Sequence, residues 1–458
     1  MLAVRPRFVP VYFARFLPSS LPHLYFFAYV SSSGQCLSEH AESEAACLEA
    51  CADPRDLVQT HAHMLRTYLL RASFHWNALM RSYLRLGRPC ASLLLYAQMC
   101  RSGAVPDCYT MPLSLKAVAL LFALPAGLQL HCSSVKLGLD RDEFTESGLI
   151  SVYSKSGMFD SALKVFDQNA QRKLGSWNAI ISGLAQGGRL VEAVNMFVEL
   201  RRSGLVPDDV TMVSVASACG GLGDLCLSQQ VHKCLLQAER SGRLDVMLSN
   251  SLTDMYAKCG RTDLAYKVFS RMARRDVSSW TAMIMGLAMH GEEVAALDFF
   301  RAMQQEGVRP NQVTFVGVLS ACAHGGLVDE GMNYLEAMTE DYNLVPTLAH
   351  YGCVVDMLGR VGRLEEARAV VERMPMEANA VIWGTLLGAC EKHANLEIGE
   401  WAAEKLLELE PWNDGVYVVL SNIYAGAQNW RGVERIRKLM WERRVAKAPA
   451  YSSASVSA

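Results

Sequence analysis

The stretch MYAKCGRTDLAYKVFSRM, from Met255 to Met272, decides the fold. Its apolar side chains recur at helical spacing on both sides of the pair Cys259-Gly260. They are Tyr256, Ala265, Val268, Phe269 and Met272. The glycine marks a turn, because glycine tolerates positive φ and ends a helix at little cost. The stretch therefore predicts two amphipathic helices joined by a tight turn, which is a helical hairpin.

The same phrase occurs twice more, as VYSKSGMFDSALKVF from Val152 and MLGRVGRLEEARAVV from Met357. A second phrase begins with tryptophan, and its four copies are separated by 101, 103 and 103 residues: Trp76, Trp177, Trp280 and Trp383. A third phrase has the form F/Y-x-x-M/L-x-x-x-G-x-x-P-D/N, and its copies end at Asp107, Asp208 and Asn311. A period near 100 residues is too long for one hairpin, so it must divide further.

The long period divides into three unit types of 35, 35 to 37, and 31 to 32 residues, which alternate in fixed order. One hairpin cannot bury its own apolar face, whereas stacked hairpins can. No strand-like alternation extends over a comparable length. The sequence therefore predicts an all-α fold, an α-solenoid superhelix of stacked helix-turn-helix repeats.

Composition indicates a folded chain and excludes several classes of protein. The 458 residues are 51% hydrophobic and 20% charged, which is unlike a disordered chain. The 44 basic and 46 acidic residues give a net charge of −2, which excludes a polycationic coat for nucleic acid. No apolar run reaches the ~18 residues that a transmembrane helix needs, so we expect no membrane association.

Nothing in the sequence predicts an enzyme, a metal site or a cofactor. The 14 cysteines include no C-x-x-C pair, so the H-x-E strings at His40 and His290 lack the second half of a zinc deaminase site. No G-x-x-x-x-G-K-[ST] phosphate loop or G-x-S-x-G nucleophile elbow occurs. Three cysteines recur at one repeat phase, which predicts small core residues. They are Cys219, Cys322 and Cys390.

The first 38 residues have a composition of their own. No aspartate or glutamate precedes Glu39, while arginines alternate with aromatic residues and serines follow. This composition is typical of an organelle transit peptide, which we expect over residues 1–38. A disordered tail, or a secretory signal built on residues 24–30, is the alternative. The arginines and aromatic residues favour the mitochondrion over the chloroplast.

The alternating units, with WNAIISG from Trp177 and FVELRRSGLVPD from Phe197, resemble the plant PLS-type pentatricopeptide repeat proteins. The resemblance covers about residues 70–447 and divides residues 73–379 into nine repeats, after a degenerate repeat region at 39–72. The P units are 73–107, 174–208 and 277–311; the L units are 108–142, 209–245 and 312–347; the S units are 143–173, 246–276 and 348–379.

Residues 380–447 resemble the two E-type motifs of this family, and residues 448–458 form a C-terminal tail. Longer family members continue into a DYW deaminase domain, which we do not expect here because the sequence ends in APAYSSASVSA. From Glu391 to Asp414 there are seven acids and two lysines, and from Arg431 to Lys447 there are seven bases and two acids. Solvated helix faces and a docking surface for a protein partner both fit this split charge.

The resemblance implies that the fifth and last residues of a repeat recognise one RNA base. Asparagine with aspartate implies uracil at three pairs: Asn77/Asp107, Asn178/Asp208 and Asn250/Asp276. Threonine with asparagine implies adenine at Thr281/Asn311. An ionised aspartate only accepts hydrogen bonds, which suits the one ring N–H of uracil. The expected core is 5′-U-n-n-U-n-U-A-n-n, a few nucleotides before a target cytidine.

Other side chains of the repeats are assigned no base. Two further pairs depart from the family combinations and are weaker RNA-facing candidates without a base: Ser147/Lys173 and Gly352/Asn379. The second residues of three repeats either stack on bases or pack in the core: Phe74, Tyr109 and Phe144. An asparagine at a helix start, or an aspartate after proline, is also an ordinary capping residue.

The resemblance implies a sequence-specific single-stranded RNA-binding protein that selects sites for C-to-U editing of organellar RNA. The implied partners are that RNA, a DYW-type deaminase supplied in trans, and multiple organellar RNA editing factor proteins. A splicing, processing or stabilisation factor for organellar RNA is the alternative. A protein-binding scaffold of tetratricopeptide type fits less well, because that family repeats its tryptophan phrase every 34 residues. Here tryptophan returns only in every third unit.

Overall fold

The computed structural model describes residues 53–67, 70, 72–238 and 245–447, and all regular secondary structure in these ranges is helical. The predicted all-α class is therefore confirmed. The chain divides into two compact units at Leu222/Gly223. The predicted transit peptide at 1–38 and the tail at 448–458 lie outside the described residues.

Ten described helices belong to the first unit. They are α1 Pro54–Arg66, α2 Ser73–Arg85, α3 Pro89–Arg101, α4 Thr110–Leu121, α5 Leu124–Leu137, α6 Glu143–Lys155, α7 Phe159–Asp167, α8 Leu174–Gln186, α9 Leu190–Arg202 and α10 Asp209–Leu222.

Thirteen described helices belong to the second unit. They are α11 Leu225–Ala238, α12 Val246–Lys258, α13 Thr262–Arg271, α14 Val277–Met289, α15 Glu293–Gln305, α16 Gln312–Gly325, α17 Val328–Glu340, α18 Leu348–Val361, α19 Leu364–Arg373, α20 Ala380–Lys392, α21 Leu396–Leu409, α22 Asp414–Gly426 and α23 Trp430–Glu442.

The stretch that predicted a hairpin forms one. Helix α12 ends at Lys258, Gly260 follows with a φ of 73°, and α13 begins at Thr262. The left-handed φ is favourable for glycine and strained for other residues. The His290 string of the sequence lies in the corresponding turn between α14 and α15.

The units predicted as S units, 143–173, 246–276 and 348–379, have short second helices. Helices α7, α13 and α19 have nine, ten and ten residues. The second helices of the P units, α3, α9 and α15, have 13 residues each. The loss is close to one helical turn of 3.6 residues.

Each compact unit has two layers of helices. The first helices of successive hairpins lie side by side: α2, α4, α6, α8 and α10 in the first unit, and α12, α14, α16, α18, α20 and α22 in the second. The second helices form the other layer; α15, for example, contacts both its own first helix α14 and the next first helix α16. The layer of first helices therefore brings equivalent positions of neighbouring repeats together.

The apolar stripes pack between these layers. The ring centroids of Trp177 and Phe166 are 4.7 Å apart, and those of Trp280 and Phe269 are 4.9 Å apart, both edge to face. The three cysteines that share a repeat phase are fully buried, which confirms their prediction as core residues. The first helices also approach closely at small residues: a Cβ on Gly286 of α14 would lie 2.5 Å from the Cβ of Ala257 on α12.

Candidate nucleic-acid interface

The fifth residue of a repeat and its last residue meet in three of the predicted pairs. The fifth residue lies in the second turn of a first helix, and the last residue precedes the next first helix, which packs alongside. Asn77 Nδ2 donates to Asp107 Oδ1 at 3.0 Å and to Oδ2 at 3.2 Å. The equivalent distances from Asn178 to Asp208 are 3.0 and 2.9 Å. Asn250 Nδ2 donates to Asp276 Oδ1 at 3.0 Å.

The aspartates of these pairs also cap helices. Asp107 Oδ1 accepts from the backbone N–H of Thr110 at 2.9 Å, and Asp276 Oδ1 accepts from that of Ser279 at 2.8 Å. Each aspartate thus satisfies a backbone donor of the next repeat and binds the asparagine of its own repeat. Capping and pairing are therefore compatible uses of the same carboxylate. The asparagines, in contrast, lie inside their helices and cap nothing.

Hydrogen bonds favour the ionised form of two of these aspartates, Asp107 and Asp276. Burial alone would raise the pKa of Asp107, but hydrogen bonds from the Thr110 backbone and the Asn77 amide lower it below its ordinary value. The same balance lowers the pKa of Asp276, with donors at Ser279 and Asn250. These carboxylates therefore remain acceptors at neutral pH.

The Thr281/Asn311 pair is built differently. Thr281 is buried, and its hydroxyl lies 2.8 Å from the hydroxyl of Thr314. Asn311 is exposed and caps α16, accepting from the Thr314 backbone N–H at 2.9 Å. Thr314 therefore links the two residues, and the Asn311 side chain retains its amide donors.

In the two weaker pairs, Ser147/Lys173 and Gly352/Asn379, the side chains are not paired as in the Asn–Asp pairs. Ser147 Oγ donates to the backbone oxygen of Glu143 at 2.7 Å, while Lys173 Nζ forms an ion pair with the Glu143 carboxylate at 3.1 Å. Both side chains are thus directed to the same glutamate. Gly352 has no side chain, and the exposed Asn379 caps α20 by accepting from Ile382 N at 3.1 Å.

The second residues of three repeats lie on the surface. Phe74, Tyr109 and Phe144 are 59%, 64% and 65% exposed. The alternative that they pack in the core is therefore wrong. They precede the fifth residue by three positions, so they lie close to it on the same face of the first helix.

The hydroxyl at the third position of the next repeat was not predicted as part of this site. Thr110 and Thr211 are fully buried, and each donates to the side-chain oxygen of the preceding asparagine, Asn77 or Asn178. The sequence signal is the spacing D-x-x-T, which is common at helix starts and does not point to a distant asparagine.

A second exposed surface lies on α23. Trp430 and Trp441 are 68% and 79% exposed, and their spacing of eleven residues places them on one side of the helix, roughly 16 Å apart along its axis. A different side of α23, which carries the buried Val433 and Ile436, faces α22. The residues from Arg431 to Lys447 carry seven bases and two acids. The exposed face of α23 is therefore aromatic and basic.

Two general findings complete the description of the chain. None of the helices in the described ranges is long and apolar enough to cross a membrane. Across the same ranges, no three histidine, cysteine, aspartate or glutamate side chains lie close enough together to hold a metal ion.

Sequence profiles and solved structures show what the chain resembles. The PPR repeat profile matches residues 74–103, 147–168, 175–205, 248–277, 313–342 and 349–377. The PPR repeat family profile matches 275–324, and the E motif profile matches 393–454. In fold, the chain resembles the pentatricopeptide repeat protein PPR10 from maize, at 17% identity and a TM-score of 0.56, over 89% of this chain and 64% of that one. PPR10 in complex with an 18-nucleotide psaJ RNA element gives 16% identity and a TM-score of 0.58, over 89% and 65% of the two chains.

Relatives from Arabidopsis thaliana share much more sequence. A mitochondrial pentatricopeptide repeat-containing protein is 52% identical over 90% of this chain and 89% of its own. A chloroplastic/mitochondrial one is 39% identical over 93% of this chain and 74% of its own. With these relatives, the matched repeats and the E motif behind them, the chain belongs to the plant pentatricopeptide repeat family.

Proposed function

We propose that the chain binds single-stranded RNA and recognises uracil with its three Asn–Asp pairs and adenine with Thr281/Asn311. The observation that carries this proposal is the recurrence of one hydrogen-bonded pair, at one place per repeat, between neighbouring first helices. A capping aspartate alone needs no asparagine, yet each of the three binds one at 3.0 Å. Helical-repeat proteins that recognise one base per repeat use two or three side chains in this way.

The chemistry of the pair fits uracil. The ionised carboxylate accepts from the ring N–H, and the asparagine amide has a second N–H that can donate to a base carbonyl. Cytosine offers an acceptor at the same ring position, which the carboxylate repels. The exposed Phe74, Tyr109 and Phe144 provide rings on which neighbouring bases can stack.

The cellular role we propose is site recognition for C-to-U editing of organellar RNA, with the mitochondrion as the compartment and the chloroplast as the alternative. The mitochondrial relative that is 52% identical supports this compartment. The E motif supports a role beyond RNA binding, because it follows the repeats and has no Asn–Asp pair of its own. The deaminase, of DYW type, would come in trans, together with multiple organellar RNA editing factor proteins.

The exposed face of α23 is the surface that we propose for this partner. Tryptophan is enriched among the hot-spot residues of protein interfaces, and truncating a hot-spot residue costs about 2 kcal/mol or more of binding free energy. The face lies on a second helix, whereas the base-recognising pairs belong to first helices and their caps. A protein can therefore contact Trp430 and Trp441 while RNA contacts the first helices.

Organellar cDNA sequencing in plants that lack this protein tests the role. We expect conversion to be lost at one or a few cytidines preceded by the predicted core, and to return with the wild-type gene. The protein with both Trp430→Ala and Trp441→Ala should bind the RNA normally, but a gene that encodes it should fail to restore conversion. The matched control is Trp412→Ala, which removes an equally exposed tryptophan outside α23 and should restore conversion.

Other outcomes would point elsewhere. If editing is intact but intron removal or transcript ends are altered, the protein acts in splicing or processing and not in editing. The proposal that it recognises RNA would still stand. If the double tryptophan variant fully restores conversion, the proposed docking surface on α23 is wrong, but the proposed editing role is not affected.

A further inference from the structure

The three Asn–Asp pairs have the same two residue types but different hydrogen-bond partners. In two of them a threonine of the next repeat completes a three-residue network. Thr110 Oγ1 donates to Asn77 Oδ1 at 2.7 Å, with Asp107 Oδ1 as a second acceptor at 2.9 Å. Thr211 makes the same two contacts with Asn178 and Asp208. Both threonines are fully buried, so water does not compete for their hydroxyls.

The threonine fixes which way the asparagine amide points. Its hydroxyl occupies the amide oxygen of Asn77, and the Asp107 carboxylate takes one amide N–H at 3.0 Å. Turning the amide over would place an N–H against the hydroxyl and an oxygen against the carboxylate. The amide therefore presents its remaining N–H, a donor, to a ligand. A donor beside a carboxylate matches the carbonyl and ring N–H of uracil and mismatches the amino group and ring nitrogen of cytosine.

The third pair lacks this constraint. The equivalent residue is Ser279, whose hydroxyl contacts Asp276 Oδ1 at 2.9 Å as part of a capping box. Within the described residues, Asn250 Oδ1 is buried and has no hydrogen-bond partner. The Ser279 hydroxyl makes the same two contacts with Asp276 that the Thr110 hydroxyl makes with Asp107, but no contact with Asn250 accompanies them in the described part of the chain. Serine is not β-branched, so its χ1 angle is less restricted than that of threonine. The Asn250 amide is held by Asp276 alone, so turning its oxygen toward a base breaks one hydrogen bond, whereas turning the Asn77 amide breaks two.

We propose that the third residue of the following repeat is a positioning residue, which sets how sharply each Asn–Asp pair distinguishes uracil from cytosine. Thr110 and Thr211 make their pairs strict, and Ser279 makes the Asn250/Asp276 pair permissive. This inference rests on the proposed base recognition. It assigns a specificity role to a side chain that does not itself contact the base.

The wild-type protein provides the first test. Uracil is replaced by cytosine singly at nucleotides one, four and six of U-n-n-U-n-U-A-n-n, which face the first, second and third pairs. We expect a loss of affinity of about tenfold or more at nucleotides one and four, the scale of a good base-edge contact. At nucleotide six we expect a loss of about threefold or less, because one amide orientation no longer excludes cytosine.

Variants test the cause. Ser279→Thr should raise the ratio of cytosine to uracil Kd at nucleotide six only. Thr211→Val should lower that ratio at nucleotide four and leave nucleotides one and six unchanged. The matched control is Thr145→Val, which also removes a buried hydroxyl bound to a capping aspartate, Asp142 at 3.1 Å. Asp142 ends the repeat 108–142, whose fifth residue is Pro112, which has no side-chain amide to orient.

The outcomes separate this inference from the function on which it rests. The positioning role is wrong if the protein distinguishes uracil from cytosine equally well at all three nucleotides. It is also wrong if Thr211→Val and Thr145→Val give the same ratio of cytosine to uracil Kd at nucleotide four. Uracil recognition would stand in both cases. No preference for uracil over any other base at these nucleotides would overturn base recognition itself. Thermal unfolding of Thr211→Val and Thr145→Val shows whether both variants are equally folded.

Discussion

Replacing Asn178 by threonine and Asp208 by asparagine should change the base recognised at nucleotide four from uracil to adenine. The pair would then match Thr281/Asn311, in which Thr281 meets the hydroxyl of Thr314 and the amide of Asn311 is available. An amide can donate to the ring nitrogen of adenine and accept from its amino group, whereas a carboxylate cannot donate. We expect about tenfold weaker binding of the uracil oligonucleotide and a similar gain for adenine, corresponding to about 1.4 kcal/mol each. Fluorescence anisotropy titration with both oligonucleotides measures the change.

A charge control accompanies this recoding. Asp142→Asn removes a capping carboxylate of the same kind, at the end of a repeat whose fifth residue is Pro112. It should weaken all oligonucleotides equally or not at all. A preference for uracil that survives the Asn178→Thr, Asp208→Asn double change would show that this pair does not select the base.

The largest loss of stability is expected for Trp280→Ala. The Trp280 ring is buried against Phe269 at 4.9 Å and Phe299 at 6.0 Å. Truncating a buried aromatic residue costs about 3–5 kcal/mol, because apolar contacts are lost and a cavity remains. Hydrogen exchange followed across α12 to α15 should show faster opening there, which is the sensitive measurement in a repeat array that does not unfold in one step.

The repeated tryptophans provide their own controls. Among the described residues, the Trp280 indole N–H is buried without a partner, so Trp280→Phe should cost much less than Trp280→Ala. Trp76 Nε1 donates to the backbone oxygen of Leu70 at 3.1 Å, so Trp76→Phe should cost about 1 kcal/mol more than Trp280→Phe. Equal effects of the alanine and phenylalanine changes at Trp280 would contradict the packing role of its ring.

The hairpins could be predicted from the sequence because the same apolar pattern recurs in several repeats. The turn at Gly260 and the burial of Cys219, Cys322 and Cys390 followed from recurring phases, and the structure confirms them. The origin of the short S units was not predictable, because a helix that loses one turn keeps the same apolar period. Helices α7 and α13 show that the loss falls in the second helix.

The candidate site was predicted in part. The positions of the fifth and last residues came from a family resemblance, and their mutual hydrogen bonds needed the packing of neighbouring first helices. The role of Thr110 was hidden because D-x-x-T is an ordinary helix start, and its bond to Asn77 spans 33 residues. The difference at Ser279 was hidden for the same reason. An apolar residue in the sequence fits both base stacking and core packing. The exposure of Phe74 in the structure excludes core packing.

The most direct test of base recognition compares two oligonucleotides. One carries the core U-n-n-U-n-U-A-n-n, and the other has the same composition in scrambled order. We expect the core to bind about a thousandfold more tightly, because each of the four pairs contributes about 1 kcal/mol or more. The salt dependence should be modest, since the net charge is only −2. Equal affinity for the two oligonucleotides would contradict the proposal that the paired side chains recognise bases.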